Sequence, residues 1–220
     1  TLEGENDIQG VFRLTATHSL VATWLTYFLH EFIELYPNLR FEIIGSNPPL
    51  DLQSGEIDAA VRPYMQNAPL LTQIPLMRWK LSLFATAEYL ERFGTPQKVE
   101  DLDHHRLVVF HDIDAQFLPS YNTFPLHMGT KDGKKREPIV KVNSVPGMYN
   151  LVSRHVGIGC FSKDSPTFKD YQFVPVLPDL VSTEVEVYYI YPENLSHLKR
   201  IQAFGDFLRK KVLEIHPGCV

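Results

Sequence analysis

The sequence predicts an α/β fold with two lobes, and three observations support this prediction. Strand-like and helix-like patterns alternate over residues 10–63, and a second alternating set begins near residue 79. The last helical pattern has no partner elements beside it in the sequence, so we expect it to return to the first lobe. Such alternation is typical of parallel, doubly wound sheets. We therefore expect two Rossmann-like lobes that are joined by two crossover strands, with a ligand cleft between them.

The predicted boundaries follow the changes in pattern. Residues 1–9 are a hinge remnant, residues 10–78 and 190–216 form lobe I, and residues 79–189 form lobe II. In lobe I, Thr17 or Ser19 is expected to cap the first helix, and Pro37 ends it. The predicted elements of lobe I are strand 10–16, helix 20–36, strand 39–45, a short helix within 47–55 and strand 57–63.

The elements of lobe II come from shorter patterns. Asp132-Gly133 is a strong turn signal, so residues 123–142 are predicted to form a β-hairpin. The other predicted elements are an extended stretch 71–86, helix 87–94, strand 106–110, helix 145–157, strand 158–162, a short extended segment 173–176, strand 184–192 and the last helix 195–215.

Composition excludes several classes of protein. The chain has 220 residues, 44% of them hydrophobic and 21% charged, which is typical of an ordinary globular protein. Its net charge of −5 argues against a nucleic-acid-binding surface. No apolar run approaches the roughly 18 residues of a membrane span, and the polar N-terminus does not resemble a signal peptide. Two cysteines suit a reducing compartment. We therefore expect a cytoplasmic protein that does not contact the membrane.

An arginine ends the third predicted strand. The segment "IDAAVRP" is apolar up to Val61, and Arg62 then stands where the apolar run should continue. The carboxyl ends of parallel strands line the crevice of such sheets, and a guanidinium offers a planar fork to a carboxylate. We therefore predict that Arg62 contacts a ligand or gates the cleft. The alternative is an arginine whose stem packs in the lobe while its head reaches solvent or a structural carboxylate.

Three strand-to-helix turns carry short polar side chains that we expect to face the same crevice. A helix start also offers free N–H groups and a positive dipole, which suit an anion. Capping and turn formation are the alternative explanation for these residue types. The predicted ligand-binding residues in these turns are Thr17, His18, Ser19, Ser46, Asn47, Asn143, Ser144 and Val145.

Five segments are specific when taken together, in this order and at this spacing. They are "GVFRLTATHSLVATWLTYFLHEFIELYPNLRFEI", "LQSGEIDAAVR", "PLMRWKLSLFATAEYLERFGTPQKVEDLDHHRLVVF", "VNSVPGMYNLVSRHVGIGCFS" and "VEVYYIYPENLSHLKRIQAFGDFL". They resemble the effector-binding domain of LysR-type transcriptional regulators, which has the two-lobe fold of type II periplasmic binding proteins. The resemblance covers nearly the whole chain.

This resemblance implies a sensing role for the chain. A small metabolite, expected to be an organic anion, would bind between the lobes, with no catalytic step, cofactor or metal. DNA would be bound only through an N-terminal winged helix-turn-helix that this chain lacks. The chain departs from the family at Cys160 and Phe161, where small or aliphatic residues are usual, so Phe161 is a further predicted ligand contact. Whether Cys160 is redox-active is left open.

The first helix suggests a second role, in dimerisation. Its polar residues Thr23, Thr26, His30 and Glu34 share a narrow face, and its apolar arc is wider than the ~100° stripe that one sheet requires. The family resemblance implies antiparallel pairing of two subunits through this helix. We therefore predict a homodimer through residues 20–36, with a tetramer left open for the full-length protein.

The sequence favours three other interpretations less. A solute-binding protein of a transporter shares the fold but requires export. A hydrolase or deaminase requires a nucleophile and base, and neighbouring Ser19 and His18 point apart at a helix start without a G-x-S-x-G elbow. The run "DLDHH" (101–105) suggests a metal, but its spacing matches no zinc pattern, so a structural loop is favoured.

Overall fold

The computed structural model describes residues 8–111, 121–131, 133–180 and 184–215. The chain divides into two compact units. Unit 1 comprises Thr1–Arg78 and Glu186–Val220, and unit 2 comprises Trp79–Val185. Residues 1–7 of the predicted hinge lie outside the described residues.

The strands agree closely with those predicted from the sequence, apart from the hairpin. They are β1 (Gly10–Ala16), β2 (Leu39–Gly45), β3 (Ala59–Arg62), β4 (Leu71–Ala85), β5 (Leu107–Phe110), β6 (Val140–Val142), β7 (Ile158–Ser162), β8 (Val174–Val176) and β9 (Glu184–Pro192).

The helices are more fragmented than predicted. The α-helices are α1 (His18–Leu20), α2 (Thr26–Leu35), α3 (Ala87–Phe93), α4 (Val145–Ser153) and α5 (Lys199–Ile215). A π-helical segment, Val21–Leu25, joins α1 to α2. The described residues also include the 3-10 segments Val99–His104, Tyr121–Leu126, Pro166–Asp170 and Glu193–Leu195.

Unit 1 is built on a sheet in the order β2–β1–β3–β9. The pairs β1–β2 and β1–β3 are parallel, and β3–β9 is antiparallel. Helices α2 and α5 pack on one face of this sheet through three fully buried phenylalanines. The ring of Phe204 lies 5.2 Å from that of Phe12 and 5.0 Å from that of Phe32. The C-terminal helix therefore shares a core with β1.

A buried lysine also fixes α5 to α2. The Lys211 ammonium lies 2.6 Å from a carboxylate oxygen of Glu31 on α2 and 2.6 Å from one of Glu214. It also lies 5.8 Å from the ring centres of Phe28 and Phe207. Two carboxylates and two ring faces offset the loss of hydration of this charge.

Unit 2 has its own mixed sheet, in the order β4–β7–β5–β6, with β8 pairing to β4 as well. Strand β5 is parallel to β6 and β7, whereas β4 is antiparallel to β7. One face of the sheet carries an aromatic cluster, in which Phe161 stacks on Phe84 at 5.3 Å and meets Tyr149 edge-on at 4.7 Å. Burial raises the pKa of Tyr149 to about 12.

The predicted short helix within 47–55 is wrong. This segment has no helix in the structure, because its side chains bond the local backbone instead. Asp51 accepts a hydrogen bond from the N–H of Gln53, and the Ser54 hydroxyl donates to the Asp51 carbonyl. Such local bonds compete with helix formation.

The predicted hairpin over 123–142 is also wrong, although Asp132 itself lies outside the described residues. Strand β6 pairs in parallel with β5, and a 3-10 segment takes the place of the first hairpin strand. Arg136, only 8% exposed, donates to the carbonyls of Pro125, Met128 and Val99 and to a carboxylate oxygen of Asp103. These four bonds favour a compact loop over two extended strands.

The first helix differs from the prediction in its start and its register. It begins at His18 rather than at residue 20, and the π-helical segment shifts the positions that face the core. Thr23, which the sequence places on the polar face, is buried, and its hydroxyl donates to the Ser19 carbonyl at 2.8 Å. The helices predicted at 145–157 and 195–215 are likewise shorter, because α4 ends at Ser153 and α5 begins at Lys199.

Replacing Arg136 with alanine tests this loop. The change removes a buried charge-assisted network, so we expect the free energy of unfolding to fall by about 3 kcal/mol in urea denaturation. The matched control is Arg13→Ala, because the Arg13–Glu42 ion pair is exposed. That control should lose no more than about 1 kcal/mol. Equal losses in the two variants would contradict the role assigned to Arg136.

Cys160 gives a second test of packing. It lies in β7 with 1% exposure, and burial raises the pKa of its thiol far above the usual range. In a Cys219→Ser variant, we expect the remaining thiol to react with a disulfide reagent only as fast as the protein unfolds. The denatured variant should react at once. Rapid reaction of the native variant would show that Cys160 is a reactive thiol.

Candidate functional site

Three parallel strands of unit 1 end at one edge of the sheet. Ala16, at the end of β1, is paired with Gly45 of β2 and Val61 of β3. The residues that follow these ends are therefore neighbours. Six predicted ligand-binding residues are brought together here, and they are Thr17, His18, Ser19, Ser46, Asn47 and Arg62.

The turn after β1 is fixed by a cap and by a long-range hydrogen bond. Thr17 has an extended backbone, and its hydroxyl accepts a hydrogen bond from the N–H of Leu20. This confirms Thr17, rather than Ser19, as the cap of the first helix. The next N–H, that of His18, donates to the side-chain oxygen of Asn47 at 3.3 Å. Asn47 thereby ties the turn after β2 to the start of the helix.

Gly45 leaves room for the His18 ring. A Cβ atom at position 45 would lie 2.8 Å from Nδ1 of His18, closer than real Cβ atoms approach other heavy atoms. The exposed imidazole therefore lies against the backbone at the end of β2. A larger residue at position 45 would displace it.

The turn after β2 is held by backbone and side-chain bonds. The N–H of Ser46 donates to the Ala16 carbonyl at 2.8 Å, and its hydroxyl donates to the Pro48 carbonyl at 2.7 Å. Ser46 is half-buried, whereas Asn47 is 2% exposed. The backbone at this turn is therefore held in place by hydrogen bonds within unit 1.

Arg62 is the chemically unusual member of the group. It is 2% exposed, and its guanidinium donates to the carbonyls of Asn47 at 2.7 Å and Pro48 at 3.4 Å. Among the described residues it forms no ion pair with a carboxylate. Burial lowers its pKa to about 10, so it stays protonated at neutral pH. The edge of the sheet thus contains a positive charge that no described carboxylate neutralises. The guanidinium of Arg62 is buried from solvent, and no described carboxylate binds it.

The strands of unit 2 present a similar edge. Phe110 of β5 is paired with Val142 of β6, and the turn after β6 leads into α4. Ser144 caps α4 by accepting a hydrogen bond from the N–H of Gly147 at 3.2 Å. Asn143 is exposed and Val145 is half-buried. These three predicted residues therefore lie together at the start of α4.

Phe161 lies elsewhere in unit 2. It is 1% exposed and belongs to the aromatic cluster on the sheet. The structure therefore places it in the core of unit 2 rather than with the other predicted residues at the start of α4, and ligand contact by Phe161 stays a prediction.

Two polar residues at the strand ends of unit 2 were missed from the sequence. His111 follows β5, and its N–H donates to the Val142 carbonyl. The exposed Lys163 follows β7. Each stands directly after an apolar strand pattern, which is the same signal that singled out Arg62. Applying that rule to every strand would have found both.

The run "DLDHH" has structural partners. Asp101 accepts hydrogen bonds from the N–H groups of Gln97 and Lys98, and these bonds lower the pKa of its carboxyl. Nδ1 of His105 lies 3.2 Å from the Tyr89 hydroxyl oxygen. Burial lowers the pKa of the His105 imidazole. Within the described ranges, no group of three or more His, Cys, Asp or Glu side chains is arranged to hold a metal ion.

Two surface grooves lie away from these strand ends. One of about 470 Å³ runs between α2 and α5 in unit 1, and one of about 580 Å³ lies in unit 2 beside residues 95–100 and 177–180. None of the predicted ligand-binding residues lines either groove. In the described part of the chain, no helix combines the length and apolar character that crossing a membrane requires.

Comparison with known proteins identifies the family. The family described as the LysR substrate binding domain matches residues 5–213. An HTH-type transcriptional regulator from Xanthomonas campestris pv. campestris is 34% identical over 98 residues, which are 44% of this chain and 28% of the relative. The regulator CrgA of Neisseria meningitidis is 25% identical over 203 residues, which are 91% of this chain and 66% of CrgA. The chain thus spans less than two thirds of each relative.

A solved structure shows the same fold. The CrgA regulatory domain from Neisseria meningitidis superposes with a TM-score of 0.78 at 24% identity, covering 93% of this chain and 99% of that domain. The predicted α/β fold class is confirmed by this likeness. The resemblance carried by the five sequence segments is confirmed by the family match, which extends over nearly all of the chain. The chain therefore belongs to the LysR substrate-binding domain family.

Proposed function

We propose that this chain is the effector-sensing and dimerisation domain of a LysR-type transcriptional regulator, and that it binds an organic anion at the strand ends of unit 1. Its relatives are named as HTH-type transcriptional regulators, which supports a regulatory role. DNA contact belongs to a separate helix-turn-helix domain. Effector binding shifts the conformational equilibrium of this domain, and this shift alters the DNA-binding domain without any catalytic step.

The observation that carries the anion proposal is the charge of Arg62. The protonated guanidinium is 2% exposed, and its partners among the described residues are two carbonyl groups, so it creates a positive potential at the edge of the sheet. The helix that starts at His18 adds the positive end of its dipole at the same edge. Thr17 and Ser19 supply short hydroxyl groups nearby, whereas the Ser46 hydroxyl donates its proton to the Pro48 carbonyl. An anion is the ligand that this combination favours.

Arg62 has two roles in this proposal. Its hydrogen bonds to the carbonyls of Asn47 and Pro48 hold the second turn in place. Its charge attracts the effector without a carboxylate to cancel it. In unit 2 we propose that Asn143, Ser144 and Val145 contact an effector through the polar start of α4.

Effector binding is tested by a thermal-shift screen of metabolites, because a ligand that binds only the folded state raises the melting temperature. For each anionic binder, we expect Arg62→Leu to weaken binding at least about tenfold, since charge-assisted interactions contribute about 1.5–3 kcal/mol. The matched control is Arg200→Leu. Arg200 forms an ion pair with Asp58, which directly precedes the first residue of β3. This variant therefore also loses one positive charge, but at the opposite end of β3 from Arg62. Equal binding by the two folded variants would refute the anion proposal.

The dimerisation role is supported by exposed apolar residues on α2. Tyr27, Ile33 and Leu35 are 38%, 42% and 58% exposed. Side chains of this size on one helix suit burial against a second copy of the chain. We propose that the chain forms a homodimer through this helix, as predicted from the sequence.

Replacing Ile33 with aspartate tests the dimer. We expect sedimentation to show a dimer for the unaltered chain and a monomer for the variant, because a charge would be buried at the interface. The control His30→Asp places the same charge at another exposed position of α2 and should weaken the dimer less. An unaltered chain that sediments as a monomer at high concentration would disprove the dimer proposal.

A further inference from the structure

Two tyrosines lie beside Arg62 at the same end of unit 1. Arg62 and Tyr188 are directly paired across the antiparallel strands β3 and β9, so their side chains leave the sheet on the same face. The ring of Tyr64, two residues after Arg62, meets the ring of Tyr188 at a centroid distance of 5.4 Å and an interplanar angle of 66°. Tyr64 is 58% exposed. An aromatic surface therefore lies next to the buried charge.

The loop that carries Tyr64 is fixed by a side chain. The N–H of Met65 donates to the side-chain oxygen of Gln73 at 2.9 Å, and the side-chain nitrogen of Gln73 donates back to the Met65 carbonyl at 2.8 Å. This reciprocal pair holds the backbone beside Tyr64 as a strand partner would. Tyr64 is thus exposed on an ordered backbone.

Tyr188 is fixed from the other side. Its hydroxyl donates to a carboxylate oxygen of Glu186 at 2.9 Å, and the other oxygen of Glu186 lies 2.9 Å from Nε of Arg78. The phenol is therefore oriented within a row of three side chains. Two ordered aromatic rings present a surface on which a planar ring binds with little further loss of conformational entropy.

The size of this surface favours a small ligand over a protein. In the loop between β3 and β4, the large exposed apolar residues are Tyr64 and Leu70, each at 58% exposure, whereas Tyr188 is half-buried. A stable protein interface needs about 20–30 residues on each side. One aromatic ring, in contrast, needs only a few apolar contacts and an edge-to-face or offset-stacked partner.

We propose that Tyr64 and Tyr188 form an aromatic platform that binds the ring of an aromatic carboxylate, whose anionic group is attracted by Arg62. This inference rests on the proposed anion site and specifies the chemical class of its ligand. Tyr64 supplies the exposed ring face, and Tyr188 holds Tyr64 in place. Aliphatic anions of the same size would bind through the charge alone.

Isothermal titration calorimetry of the 220-residue chain with benzoate and cyclohexanecarboxylate tests the platform. The two probes match in charge and carbon number, and only benzoate is aromatic. We expect benzoate to bind about three- to tenfold more tightly, which is the usual contribution of an aromatic pair. Tyr64→Ala should abolish this preference, whereas Tyr64→Phe should keep it.

The matched control is Leu70→Ala, which removes an equally exposed apolar side chain from the same loop and should keep the preference. Tyr64→Leu replaces Tyr64→Ala if the alanine variant fails to fold. Equal affinity for the two probes, a preference that survives the loss of the Tyr64 ring, or no binding of benzoate up to about 10 mM would overturn the inference. Binding of cyclohexanecarboxylate or another aliphatic anion that still depends on Arg62 would leave the proposed function intact. Loss of Arg62 dependence for every anion would overturn the function itself.

Discussion

The buried guanidinium of Arg62 constrains the whole polar edge of unit 1. Removing such a group from water is costly, so it must keep its hydrogen bonds to the carbonyls of Asn47 and Pro48. Those bonds set the path of the chain after β2. Asn47 then accepts a hydrogen bond from the N–H of His18 and positions the start of the first helix. One buried charge thus fixes two turns that come from distant parts of the sequence.

Because of this constraint, the residues that hold the two turns are the same residues that we propose bind the effector. A neutral residue at position 62 would have a smaller desolvation cost beside β9. It would also remove the hydrogen bonds that hold the turn after β2. The charge is retained beside a helix start and short hydroxyl groups, where an anion is favoured. A buried arginine has the same structural role in unit 2, where Arg136 donates hydrogen bonds to three backbone carbonyls and holds the loop before β6.

The sequence predicts the strands well because their apolar patterns are local, and β1, β2 and β7 have the predicted bounds. It fails where side-chain hydrogen bonds decide the path of the backbone. In the segment 47–55 these bonds are local, between Asp51 and the residues that follow it. In residues 123–142 they come from Arg136 and reach distant parts of the chain. The π-helical segment moves Thr23 into the core, which no periodic pattern reveals. A π-helical turn shifts every later position, so helical spacing alone misplaces the polar face.

The site shows the same division. The predicted strand ends place six polar residues at one edge of the sheet, as the structure does. The sequence does not show that the guanidinium of Arg62 donates to backbone carbonyls. Tyr64 and Tyr188 were not found at all, because they are more than 120 residues apart in the sequence. Only the pairing of β3 with β9 places them together. Such long-range registers are not encoded in any short motif.

The central claim is that the charge of Arg62, buried in unit 1, attracts the effector. Nitrogen-15 NMR of the arginine side chains tests it most directly, with a carboxylate titrated into the 220-residue chain. We expect the guanidinium resonances of Arg62 and the amide resonances of His18 and Asn47 to shift together and to saturate at one affinity. Saturable binding that leaves these three residues unchanged would contradict it.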